Sequence, residues 1–104
     1  MRLIDLNPKW QSISKERFGQ GISFNCPILN SDKDLHGSCR IDLWFENPLD
    51  GGSKIISEKC PYLNIYWTIQ GNSFDNLTIS PSVGYRCRHG HTHIFVTNGE
   101  IINC

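Results

Sequence analysis

Beyond Gly19 the chain breaks into short apolar runs separated by clusters of Gly, Asn, Pro and Ser, the pattern of short strands joined by turns. The clearest run is RIDLWFE, where Ile41, Leu43 and Phe45 alternate with Arg40, Asp42 and Glu46. A period of two puts the apolar set on one face and the polar set on the other, so this strand has a dry side and a wet side, the latter interrupted by Trp44. Strands are expected at residues 21–25, 39–46, 64–70, 76–80, 91–97 and 100–103. The last two are joined by Thr97-Asn98-Gly99-Glu100. Asn-Gly is a strong hairpin signal because both central positions of a type I′ turn need positive φ. A second turn is expected at Asn47-Pro48-Leu49-Asp50-Gly51-Gly52, with Pro presetting φ and Asp50 capping backbone amides. The run from Leu77 to Ser82 reads as a strand stopped by Pro81.

Residues 1–18 are different. Leu3, Ile4, Leu6, Trp10 and Ile13 follow no sustained helical spacing and Pro8 interrupts them, which predicts an irregular arm with one turn of helix. The whole, 1–104, is read as one domain: an arm, 1–18, and a β core, 19–104. The expected fold is mainly β, a small antiparallel sheet or half-barrel ending in a C-terminal hairpin. A chain of this length buries only about two thirds of its unfolded surface, so its core is thin and a staple would help.

Charge narrows the partners. Ten basic and ten acidic residues give a formal charge of zero, so no long-range field draws in a polyanion and bulk nucleic-acid binding is not favoured. No apolar stretch approaches the ~18–20 residues of a membrane span. Five cysteines without a charged start and apolar run of the signal-peptide kind point to a reducing compartment. There, cysteines near histidines read as metal ligands more readily than as disulfide partners.

The densest such group is CRHGHTHIF, from Cys87 to Phe95. Side chains alternate along a strand, so His91 and His93 share a face and can reach one ion, with a nearby thiolate adding to a tetrahedral zinc shell. Cys26 ends a short strand before Pro27, a placement common in zinc-ribbon knuckles, and Cys39 opens the strand containing Arg40. The expected ligand set is Cys26, Cys39, Cys87 and one of His91 or His93, around a structural Zn2+; His36 and His89 are reserves. The alternative makes Cys26, Cys39, Cys60 and Cys104 small buried hydrophobes and the histidines a solvated strand face. Ser80 and Ser82 could serve as nucleophiles only with a nearby base, and nothing local supplies one except the histidine strand.

Four motifs occur in order: GISFNCP from Gly21; Arg40-Ile41 leading to WFENPLDGG from Trp44; FDNLTISPSV from Phe74; and GHTHIFVTNGE from Gly90. In this the chain resembles a domain family of unknown function among small phage and prophage proteins, some labelled "ammonia monooxygenase". The resemblance spans about residues 19–102. It implies a compact β domain bearing zinc, encoded by a bacteriophage and working in the host cytoplasm. Relatives tend to carry a second knuckle cysteine where this chain has Leu29 and a histidine where it has Cys39, departures that either compensate, leaving the ligand count unchanged, or mean that the metal has been lost. No monooxygenase chemistry follows from the label.

Three functions are consistent with this reading. The first is a zinc-stabilised binding protein that occupies a surface on a host or phage protein, such as an anti-CRISPR or other anti-defence factor. Its contact candidates are Arg40, Trp44, Asp50, Arg86 and Arg88, with Trp10 and Trp67 as further aromatics and Trp67 assigned to the core. The second is a metallohydrolase with an open His/Cys zinc site and Asp42, Glu46 or Asp50 moving protons. The third is a binder of small or cyclic nucleotides, with Arg40, Arg86 and Arg88 clamping phosphates. Sulfur-rich zinc is usually structural, which favours binding over catalysis.

Overall fold

A computed structural model describes residues 1–27, 40–54, 66–87 and 90–103, except the side chains of 85–87, 90–92 and 103. Two antiparallel sheets make up the fold. The first has the order β1 (Lys9–Gln11), β2 (Gly21–Asn25), β3 (Arg40–Trp44). The second is a meander of β4 (Thr68–Gln70), β5 (Thr78–Cys87), β6 (Gly90–Thr97) and β7 (Glu100–Asn103). The mainly β class expected from the pattern is therefore the observed one.

Both sheets contribute to one core. Ile22, Phe24, Ile41, Leu43 and Phe45 come from the first sheet and its margin; Ile69, Ile79, Val83, Ile94, Val96 and Ile101 come from the second. The period-two reading of residues 40–46 holds: Ile41, Leu43 and Phe45 are buried, Asp42 and Glu46 exposed, Trp44 between. The sheets are stitched where β3 ends. There the Glu46 amide donates to the Trp67 carbonyl at 2.8 Å and the Trp67 amide donates to the Trp44 carbonyl at 3.0 Å.

Residues 1–18 hold the expected single helical turn, but they dock on the core instead of forming an arm. Leu3–Leu6 form a 3-10 turn whose Leu3 and Leu6 are 0% and 4% exposed. Three residues per turn eclipses positions i and i+3, so these leucines share a face and enter the core together. The Leu3 amide donates to the Gly99 carbonyl, and the Ile101 amide to the Met1 carbonyl, both at 2.8 Å. The N-terminal residues thus bind the edge of β7. The next segment, Lys9–Gln11, pairs with β2, putting Trp10 opposite Ile22.

Two turns meet expectation. Asn98 and Gly99 have φ of 49° and 78° and join Thr97 to its partner Glu100, as a type I′ hairpin requires. Asp50 caps the Gly52 amide at 2.9 Å in the second turn. Pro81, by contrast, does not stop its strand. β5 runs through it to Cys87, and the register with β6 shifts between Ile79 and Val83. A proline has no N–H for the ladder, and a bulge absorbs that loss.

Candidate functional site

Trp10 organises one end of the molecule. Its indole stacks on Phe74 at a centroid distance of 4.4 Å and meets Phe45 and Phe18 edge-on at 6.4 and 6.2 Å. Offset and edge-to-face contacts of this kind add to the area they bury. The loop after Trp10 is held at two points. Gln20, 1% exposed, accepts the Ile13 amide on Oε1 at 3.1 Å, and its carbonyl accepts the Phe45 amide at 2.9 Å. Its Nε2 is buried without a hydrogen-bond partner. At the other point, Arg17 Nε donates to Asp50 at 2.6 Å and Nη2 to the Ser53 carbonyl at 2.8 Å.

Held this way, the loop leaves two apolar side chains in solvent. Ile13 is 63% and Phe18 56% exposed. They flank a shallow open pocket of about 370 Å³, with Trp10, Ser12, Ser14 and Lys15 in its wall. Both charged residues in that wall, Lys15 and Arg17, are cationic, and Arg17 is spent on Asp50 while Lys15 has no ion pair among the described residues. The sequence reading missed this pocket. The available signal was a cluster of Trp10, Ile13 and Phe18 in an otherwise polar stretch.

Three contact candidates have structural roles. Arg40 donates to Ser23 Oγ at 2.9 Å, Asn25 Oδ1 at 2.8 Å, the Ser23 carbonyl at 2.9 Å and the Asn7 carbonyl at 3.0 Å, tying β3 through β2 to the residues before β1. Trp44 packs across the sheet on Gly21, its register partner; a Cβ there would lie 2.8 Å from the indole and collide with the Leu43 carbonyl. Asp50 accepts from Arg17, Gly52 and Phe18, and the Arg17 guanidinium, ahead of the Gly52 amide, holds its carboxyl well below the usual carboxylate range. The aromatics Trp10, Trp44 and Trp67 are all half-buried rather than presented to solvent.

The expected zinc ligands are only partly within the described residues. Cys26 is 1% exposed at the end of β2. Cys87 pairs with Gly90 and Arg86 with His91 across the β5–β6 hairpin. Cys39, Arg88, His36, His89, Cys60 and Cys104 lie outside the described residues. Among those described, no group of three or more His, Cys, Asp or Glu side chains is placed to hold an ion. His93 is exposed, and its Nε2 lies 2.7 Å from Ser82 Oγ. No helix among the described residues is long and apolar enough to cross a membrane.

Protein-family models, curated proteins and solved structures give no match to the chain.

Proposed function

We propose that this chain is a small binding protein that acts by occupying a partner surface. The observation that carries the reading is the exposed pair Ile13 and Phe18 around an open pocket backed by Trp10. Apolar side chains on a loop clamped by Gln20 and Arg17 are preorganised, so little ordering cost falls on association. Lys15 gives the wall a cation, which suits a protein segment that places an apolar side chain beside an acidic one. The resemblance to phage proteins supports a host or phage protein as that partner, with an anti-defence role, anti-CRISPR included, in the host cytoplasm as the biological setting.

Reconstitution with an identified partner tests this. A complex captured from host lysate and rebuilt from purified components is expected to lose at least about tenfold in affinity with Phe18→Ser, the loss of a central aromatic contact. A rebuilt complex indifferent to both Phe18→Ser and Ile13→Ser overturns the reading. The nucleotide-clamp alternative is weakened because the Arg40 donors are committed to Ser23, Asn25 and Asn7, leaving Arg86 and Arg88 to carry it.

A structural zinc belongs to the same proposal. Burial of Cys26 at a strand end suits a closed, sulfur-rich site, with Cys39, Cys87 and an imidazole as its companions. Since Nε2 of His93 already meets Ser82, His91 fits better as that imidazole. Metal analysis of the purified protein should find one zinc per chain, lost in Cys26→Ala. A metal-free protein whose melting temperature is indifferent to chelator removes the staple from the proposal.

A further inference from the structure

We infer that Ser82 and His93 form a nucleophile–base pair for acyl transfer, acting on esters with a hydrophobic acyl group. The inference uses different residues from the Trp10 pocket and does not depend on the binding role.

The pair is built by the sheet. His93 on β6 faces Gly84 on β5, and one step further on Val83 faces Ile94. Ser82 lies two positions before Gly84 and so on the same face of β5, and its Oγ is 2.7 Å from Nε2. That separation is within the range over which a base takes a hydroxyl proton. With the ring proton on Nδ1, the hydroxyl donates to Nε2, which is the tautomer the reaction needs. The Trp67 indole N–H donates to the Ser82 carbonyl at 3.4 Å and so ties this backbone to the neighbouring sheet seam. Beneath the pair, Val83, Ile94 and Val96 are fully buried, which gives it a packed base.

The imidazole lies over the Gly84 position, where a Cβ would be 3.5 Å from Nε2, and His93 is exposed on the solvent face of the sheet. Phe95, two positions along β6, lies on the same face as His93, roughly 7 Å away by strand rise. It is 44% exposed, and its cross-strand partner Ile102 is 47% exposed. Two large apolar side chains on the solvent face of a sheet are otherwise unexplained. Beside a reactive hydroxyl they form a platform for an acyl or aryl chain.

The chemistry balances with water as the only co-reactant. Ser82 Oγ attacks the ester carbonyl carbon as its proton passes to Nε2; the ester C–O bond then breaks and the leaving alcohol takes that proton. Water attacks the resulting acyl-serine, Nε2 takes a proton from the water, and the carboxylic acid departs as Oγ is reprotonated. A metal held through Nε2 would exclude this chemistry.

A fluorophosphonate carrying a decyl chain tests the pair on the intact protein, with adducts read by intact mass and peptide mapping. The Oγ–P bond forms, the P–F bond breaks and the hydroxyl proton leaves through Nε2. One adduct on Ser82 is expected, absent in Ser82→Ala. His93→Gln should slow labelling on the order of a hundredfold, the usual contribution of a general base. Melting temperatures of both variants guard against misfolding. Phe95→Ser should slow the decyl probe and leave a methyl probe unaffected, a split that a merely structural role would not produce. No adduct on Ser82, or labelling that a folded His93→Gln protein matches in rate, overturns the inference.

Discussion

The side-chain amide of Asn47 binds the backbone of Ile69 twice, Nδ2 donating to its carbonyl and Oδ1 accepting its N–H, both at 2.9 Å. Asn47 therefore acts as a one-residue strand on the edge of β4 away from β5. Ile69 is 5% exposed, so its backbone groups have little access to water in exchange. Asn47→Ala should cost about 1–3 kcal/mol, the penalty for leaving buried polar groups unpaired. Asn47→Asp should be no better, because an oxygen then faces the Ile69 carbonyl. Urea denaturation with an unchanged m-value would check both.

The Arg17–Asp50 pair predicts the acid limb of stability. Unfolded, Asp50 titrates near the ordinary value of about 3.9, whereas in the fold its pKa is lowered, first by Arg17 and then by Gly52. The unfolded state then binds more protons, so the contribution is complete above roughly pH 5 and fades as pH falls below about 4. Asp50→Asn should lower the melting temperature at neutral pH and flatten its decline on acidification. Parallel curves for the two proteins would count against the pair.

Leu3 and Ile4 are neighbours with opposite fates, 0% and 49% exposed. Leu3→Ala should destabilise by about 2–5 kcal/mol through a cavity between the N-terminal turn and β7. Ile4→Ala should stay within about 0.5 kcal/mol of wild type. Equal effects would mean that residues 1–6 do not dock as described.

Gly99 combines a φ of 78° with a backbone neighbour, the Asp75 carbonyl, that a Cβ would strike. Gly99→Ala should cost more than about 1 kcal/mol, above the usual penalty for a left-handed alanine alone. Loss of amide protection across β6 and β7 in hydrogen exchange would locate the damage.

Trp10 and Phe18 separate stability from surface. Trp10→Ala should cost about 3–5 kcal/mol, because it removes the ring stacked on Phe74. Phe18→Ser, at a site 56% exposed, should fold nearly as well as wild type, which makes it a clean probe of partner binding. Chemical denaturation of the two variants side by side would show the contrast.

Local chemistry was readable along the chain. The 21–25 strand, the alternation of Ile41, Leu43 and Phe45, the Asn98-Gly99 turn and the Asp50 cap each depend on neighbouring residues, whose spacing and φ demands are visible in one dimension. Contacts between distant segments were not. The KWQ strand at Lys9–Gln11 is too short to show a period, and it exists because β2 is there to pair with it. Arg40 and Asp50 looked like binding groups because charge is legible and its partner is not; Asn7, Ser23 and Arg17 claim their donors and acceptors.

The mainly β class, the Asn98-Gly99 turn, the Asp50 cap and the dry face of β3 thus followed from periods and dihedral preferences, which act over a few bonds. The docking of Leu3 under the last hairpin, the Trp10 pocket and the meeting of Ser82 with His93 came from packing and register. Between Ile79 and Val83 the register of β5 against β6 moves by two residues, an even step that keeps Ile79, Val83, Ile94 and Val96 on the buried face while changing which residues stand opposite one another.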